Sequence, residues 1–414
     1  MIPEIITSIP GPRSQALAAR LREHESRNVT YMNHSWPVFW DRASGVNVWD
    51  ADGNRFLDFT SAFGVAGLGH RNPEIVEAMK EQSEQLLHGM GDVHPTALKV
   101  ELCEQLSKLT FEKWGAGSGK VVLSNSGFEA VETALKTARL ATGKRKVMAF
   151  TDGYHGLGYG SLLGTDLEKF RGPFIDQLAD VTNRVKYGSF ELPNDDEIGA
   201  VLVEPIQGRG GKVIPPAGFL LALRNWCNEH NALLIFDEIY TGFYRTGKGF
   251  AGEWEGVVPD LICIGKAMSG GFPISACVGK EEVMDQWPES PGEALHTSTF
   301  LGHPVGCAMA LKSLEIFERD TTIRMVEEAS ERLSSALQEF DHEAVREVRG
   351  RGLMWGLELN RPAGGLLTSL LAEGILFLVD GPEGNVLSFT PPFQISEGEL
   401  DYALTALRRL LDAS

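Results

Sequence analysis

Cysteine is scarce in this chain, 5 among 414 residues, and no two of them stand in a CxxC pair. Cys103, Cys227, Cys263, Cys277 and Cys307 are odd in number and widely spaced. That pattern argues against a disulfide framework, a zinc site or a redox dithiol, and for reduced thiols in the core; no metal is expected. Long apolar runs are also missing. No stretch approaches the roughly 18 unbroken apolar residues of a spanning helix, so no membrane role is expected. Positive charge is in deficit, with 38 Lys plus Arg against 56 Asp plus Glu and a formal charge of −18. Such a chain repels polyanions, which excludes nucleic acid as the expected partner. The opening MIPEIITSIPGPRS has no basic segment followed by a long apolar one. No export signal is read, and the cytoplasm is the expected location. The sequons at Asn28-Val29-Thr30 and Asn33-His34-Ser35 then carry no consequence.

A phosphate loop of the nucleotide-binding kind is absent too. Gly117-Ser118-Gly119-Lys120 resembles one, but Trp114 stands where its first glycine belongs and Val121 where its Ser or Thr belongs. No GxGxxG opens a helix after a strand, which disfavours a dinucleotide-binding dehydrogenase. Internal repeats, low-complexity tracts and long linkers are likewise missing.

What is present is an alternation of short apolar strands and amphipathic helices. Residues 46–59 (VNVWDADGNRFLDF) alternate around Asp52-Gly53, the pattern of a hairpin. Helical spacing follows over Pro73 to Leu87 and Ala97 to Leu109. From about residue 120 the segments VVLS, KVMAF, GAVLVEP, ALLIFDE and DLICIG predict a largely parallel, buried sheet with helices between its strands. Beyond residue 301 the strands thin out, and a smaller α+β part is expected, with helices near 304–317 and 322–340, a strand at LMWGLEL and a terminal helix after Glu397. The expected division is an N-terminal segment 1–60 contributing to the small domain, a large domain 61–305 and a C-terminal small domain 306–414.

Three places carry chemistry. A strand runs into Ser124-Asn125-Ser126-Gly127-Phe128-Glu129 and then into a helix, which sets free N–H groups and a hydroxyl at a helix N-terminus. That is either an anion cradle or an ordinary cap. The strand ALLIF ends on Asp237-Glu238, and DLICIG ends on Lys266 before Ser269-Gly270-Gly271. Ligands of parallel sheets sit beyond the carboxyl ends of strands, so an acid and an amine reach one crevice. A lysine there can form a Schiff base with a carbonyl cofactor, and a buried carboxylate can hold a pyridinium protonated. An Asp–Lys salt bridge at a sheet edge is the plainer alternative.

Seven motifs occur in order: NSGFEAVETALK at 125–136, DGYHG at 152–156, VEPIQG at 203–208, FDEIYTGFYRTG at 236–247, GKAMSGGFP at 265–273, HTSTFLGHP at 296–304 and RGLMWGLEL at 351–359. On these the chain resembles the class III, ornithine/GABA-type aminotransferases of the fold-type I pyridoxal phosphate enzymes, over nearly its whole length. The resemblance implies an α/β fold and pyridoxal 5'-phosphate as cofactor, with Lys266 as its Schiff-base lysine and proton shuttle. It implies Asp237 on the pyridine nitrogen, Ser126, Gly127 and Phe128 at the phosphate, Tyr154 stacked on the ring and Ile239 on the opposite face. His155 follows as a neighbour that either packs or takes part, and Glu204 as a supporting acid. Thr299 matches a threonine that reaches the phosphate of a neighbouring subunit, so a homodimer with shared active sites is implied. The activity implied is ping-pong transfer of an amino group from a small amine or amino acid to a keto acid or aldehyde. Racemase, aminomutase or ammonia-lyase chemistry on the same fold is the alternative, since all begin at the same lysine.

The chain departs from its relatives where substrate is read. Many relatives carry QGE after VEP, an arginine before the late FxPP-type motif and DEIQTG after the strand. Here stand Arg209 after Gln207-Gly208, Ser388 before Phe389-Thr390-Pro391-Pro392, and Tyr240, whose hydroxyl could serve in place of the glutamine. Serine cannot imitate the bidentate fork of an arginine toward a carboxylate. Arg209 is expected either to take over as carboxylate anchor or to be a structural arginine. Trp36, Phe39 and Trp40 form an aromatic patch that belongs to the core or to a pocket flank.

Overall fold

The computed structural model describes residues 1–31 and 37–413; Trp36 and the sequon beginning at Asn33 lie outside the described residues. The chain forms two compact units, Met1–Asn72 with Met325–Ser414, and Pro73–Arg324.

The first unit begins with β1 (Trp40–Ser44), β2 (Asn47–Asp50) and β3 (Arg55–Asp58). β2 and β3 are the expected hairpin: they pair antiparallel, and Gly53 takes the left-handed φ of +90° that the turn requires. Val38, Val48 and Phe56 pack with Leu371 and Leu376 beneath this sheet. Trp40 is 45% exposed, its ring edge-on to His70 at 5.8 Å.

The second unit holds the seven-stranded sheet. Its strands are β4 (Gly119–Ser124), β5 (Lys146–Phe150), β6 (Thr182–Val185), β7 (Ile198–Val203), β8 (Leu233–Asp237), β9 (Leu261–Ile264) and β10 (Ser275–Lys280). They run in the order β4-β10-β9-β8-β7-β5-β6. β6, β5, β7, β8 and β9 are mutually parallel, and β10 alone runs antiparallel, to both β9 and β4. β7 is buried at every residue, as strands covered on both faces must be, which is why these segments read as continuous apolar runs. The helix Gly127–Thr142 covers one face, with Ala130, Val131, Ala134 and Ala138 set against Leu202, Ile235 and Cys263.

The remainder of the first unit contributes β11 (Val345–Arg351), β12 (Met354–Leu359), β13 (Ile375–Leu376), β14 (Leu378–Asp380) and β15 (Val386–Phe389). β13 joins β3 in parallel, tying the two ends of the chain into one sheet, while β11-β12-β15-β14 form another. Ser388 is fully buried in β15, opposite Gly356.

The units part at Asn72 and Arg324, later in the chain than the expected 60 and 305. The helix Pro304–Phe317 therefore lies in the larger unit, where it packs against the helices Pro73–Gln85 and Ala97–Ser107. Its apolar residues on nearly every face suit such burial. Among the described residues no helix is long and apolar enough to cross a membrane.

Candidate active site

Because β4 shares the direction of the parallel strands, five carboxyl ends gather on one edge of the sheet. β4 ends before Ser126, β5 before Tyr154 and His155, β7 before Glu204, β8 on Asp237 and β9 before Lys266. The topology thus delivers one anion-binding helix end, two acids, an imidazole and an amine to a single edge.

Asp237 is 5% exposed and His155 4%. His155 Nδ1 lies 2.7 Å from Asp237 Oδ2, and since an ionised carboxylate only accepts, the imidazole donates there. The other oxygen, Oδ1, accepts the Ile239 N–H at 3.1 Å. His155 is itself anchored through its N–H on the Thr165 hydroxyl at 2.9 Å. Glu204 accepts the N–H of Gly208 at 3.0 Å and of Tyr154 at 3.1 Å. Burial pushes its carboxyl up, with Asp237 adding to the effect and His155 and the two N–H groups opposing it. Glu204 therefore clamps the chain segments that carry Tyr154 and Gly208.

Lys266 takes a left-handed φ of +44°, uncommon for a residue with a side chain. Loss of water brings its amine down to about 8; Arg209 and Lys212 push the same way, against the pull of Asp237 and Glu204. Its Nζ lies 4.9 Å from the centre of the Tyr240 ring. A lysine poised there gives up its proton more readily than one in water, which favours an amine nucleophile or proton carrier.

Ser126 caps the helix that starts at Gly127, and Glu129 accepts from the N–H groups of Asn125 and Ser126 at 2.9 and 2.8 Å and from the Ser126 hydroxyl at 3.0 Å. Gly127 has little room for a side chain: a Cβ there would come within 3.1 Å of Ile239. Phe128 is 39% exposed. Thr299 is exposed and follows Ser298, whose hydroxyl accepts from Asn125 Nδ2 at 3.0 Å.

Arg209 sets its guanidinium 5.0 Å from the Tyr154 ring centre and 5.3 Å from that of Phe170. The larger unit thus brings Ser126, Gly127, Tyr154, His155, Glu204, Arg209, Asp237, Ile239, Tyr240 and Lys266 to the strand ends; Trp40 and Ser388 belong to the other unit. Sequence reading did not single out Lys212, Phe170 or Thr165. Lys212 had a legible signal, a lone cation in the stretch GRGGKVIPP just after a buried strand. Phe170 and Thr165 had none, since only folding brings them to Arg209 and His155.

A mostly parallel α/β sheet whose edge carries a depressed lysine amine, a carboxylate bonded to a buried imidazole and a helix N-terminus defines an enzyme of covalent amine chemistry. Residues 29–411 match the family described as Aminotransferase class-III, and the chain belongs to it. Similar curated proteins include the acetylornithine aminotransferase of Methanopyrus kandleri, 38% identical over 92% of this chain and 95% of that one. The 4-aminobutyrate aminotransferase of Mycobacterium leprae is 34% identical, over 99% and 98%. Among solved structures, the ornithine aminotransferase of Toxoplasma gondii, described with partial occupancy of PLP at its active site, superposes with a TM-score of 0.86 at 28% identity, covering 96% of this chain and 94% of that one. The expectations of fold and family are thereby met.

Proposed function

We propose that this chain binds pyridoxal 5'-phosphate at Lys266 and transfers amino groups, in ping-pong order, between a small amine or amino acid and a keto acid or aldehyde. The observation that carries the reading is the convergence of Lys266, Asp237 and the Gly127 helix end on one sheet edge. These residues fit the cofactor. The helix end offers N–H groups to a phosphate, Asp237 offers a carboxylate to a ring N–H, and Lys266 offers an amine that burial makes easier to deprotonate to an aldehyde. Bound there, the cofactor supplies that aldehyde and a ring that draws electrons from the substrate's α-carbon.

The chain's own residues then have separable tasks. Lys266 Nζ, once free, accepts a proton at its lone pair and returns it a short distance away. His155 donates to Asp237 and so keeps that carboxylate aimed. Ser126, Gly127 and Phe128 would hold the phosphate, Tyr154 and Ile239 would serve the ring and Tyr240 its phenolic oxygen, while Glu204 fixes the Tyr154 backbone. Arg209, held over two aromatic rings, anchors a substrate carboxylate.

The protein works as a homodimer in which Thr299 reaches the partner's phosphate. Support comes from the segments 86–93 and 297–301. They lie together, joined by Thr297 Oγ1 donating to Asp92 Oδ2 at 2.8 Å and by the His88 and Phe300 rings at 5.2 Å, and they expose Leu86, Leu87, Met90, Val93 and Phe300. An apolar patch of that extent favours a protein partner. Five cysteines without a disulfide support a reducing, cytoplasmic setting.

The test is a panel of amines, ω-amino acids and α-amino acids against pyruvate and 2-oxoglutarate, with borohydride trapping and peptide mapping. Trapped cofactor on Lys266 and keto product only in the presence of an acceptor are expected. Product formed with no acceptor would overturn transamination, and a monomer in light scattering would overturn the shared site.

A further inference from the structure

Lys212 is a buried cation that the reaction described above does not use. It is 0% exposed, in a left-handed backbone of φ +57°. A charged amine is rarely taken out of water unless the surrounding structure holds it there. Its Nζ donates to the Gly208 carbonyl at 3.3 Å and lies 4.5 Å from the centre of the Tyr240 ring. Lys266 Nζ lies 4.9 Å from the same ring centre. The two amines therefore share one aromatic ring and stand no more than about 9.4 Å apart.

A Cβ on Gly208 would come within 2.6 Å of the Tyr240 ring. A glycine at that position is what lets the ring approach the chain, and the Gly208 carbonyl also steadies Lys212. The charged and titratable groups that act on Lys266 are Asp237 and Glu204, which favour its ammonium, and Arg209 and Lys212, which disfavour it. Of the two cations, Arg209 is partly exposed and rests on aromatic faces beside the substrate position. Of the two, Lys212 alone is fully enclosed.

We propose that Lys212 is a positioning residue for Lys266: its enclosed ammonium, held beside the shared Tyr240 ring, makes protonation of the Lys266 amine less favourable whenever that amine is free to act. The inference rests on Lys266 being the reacting amine. A neighbouring cation is a general means of activating a lysine, because the second ammonium makes protonation of the first less favourable. For two unit charges at that separation, an effective dielectric between about 20 and 80 corresponds to roughly 0.3 to 1.3 pKa units.

The test is titration of Lys266 in the cofactor-free full-length chain. Labelling with dinitrofluorobenzene across the neutral to alkaline range is read on the Lys266 peptide by mass spectrometry. Lys212→Met is expected to raise the apparent pKa of Lys266 by roughly 0.3 to 1.3 units. Lys212→Arg, which keeps the charge, is expected to return it to the parent value. An unmoved pKa in Lys212→Met overturns the proposal, and so does an equal shift in Lys212→Arg, which would mark a packing role. Should the Met variant fail to melt cooperatively, Lys212→Gln takes its place. In the parent, a Lys212 peptide labelled at lower pH than the Lys266 peptide overturns the proposal without any variant. Borohydride trapping of the holoenzyme on another lysine would instead overturn the reading of Lys266 itself.

Discussion

The ends of β5, β7, β8 and β9 and the loop from Gln207 to Lys212 belong to one site but hold their charges by different means. At the strand ends the carboxylates have directional partners: Asp237 has His155 and the Ile239 N–H, Glu204 has two backbone N–H groups, and Glu238 has the Thr241 hydroxyl and the N–H groups of Ala251 and Gly252. In the loop, Arg209 and Lys212 rest over the faces of Tyr154, Phe170 and Tyr240. Hydrogen bonds to buried carboxylates fix an atom to within a few tenths of an ångström, whereas a cation over a ring face can slide at small cost. The rigid part therefore suits a cofactor that never changes. The softer part, at Arg209, suits substrates that alternate.

The largest effect that would break this contrast is expected from Lys266→Ala, which removes the proposed proton carrier. Initial rates with any accepted donor should fall by about 1,000-fold or more, for amines and amino acids alike. A loss confined to one substrate class would move Lys266 from the common machinery to the selective part.

Arg209→Ala should do the opposite and discriminate. A charged hydrogen bond to a carboxylate contributes about 1.5–3 kcal/mol, so kcat/KM for amino acids should drop by roughly 10- to 150-fold while plain amines stay within about twofold. Equal losses in both classes would make Arg209 structural.

Gly208→Ala probes the join between the two regions. Its Cβ would press on the Tyr240 ring at 2.6 Å, and overpacking of this kind costs about 1–3 kcal/mol. A lowered melting temperature together with a shifted pH profile is expected, and an unchanged profile would mean that Tyr240 does not link the two lysines.

An effect on stability alone concerns Glu238, beside Asp237 in sequence but turned to other partners. Burial pushes it up to about 7 from 4.5, against the opposing hydrogen bonds of Thr241, Gly252 and Ala251. A carboxyl raised in the folded state adds stability below its unfolded pKa and loses that contribution as pH climbs from about 4.5 to about 7. The melting temperature of the parent should accordingly fall relative to Glu238→Gln across that window and run parallel to it above. Parallel curves throughout would show that Glu238 titrates normally.

Much of the site was legible because its residues follow strands at short, fixed distances. Asp237 ends an apolar run and Lys266 follows one, so a parallel sheet suffices to place them on one edge. The antiparallel β10 between β4 and β9 was not legible, since SACVGK has the same apolar texture as its parallel neighbours and periodicity carries no direction. β11, β13 and β14 escaped notice for another reason: they are short or polar segments whose strand state depends on pairing partners far along the chain.

By itself, the sequence determined the class of chemistry. Strand-terminal acid and amine, a capped helix after a strand and seven ordered motifs are local features, and local features survive being read one residue at a time. Only the tertiary structure decided which side chains act on one another. Asp237 meets an imidazole 82 residues away, and Lys212 and Lys266 share the Tyr240 ring. Such contacts arise from crossovers between distant strands, and no spacing along the chain encodes the electrostatic field in which Lys266 sits.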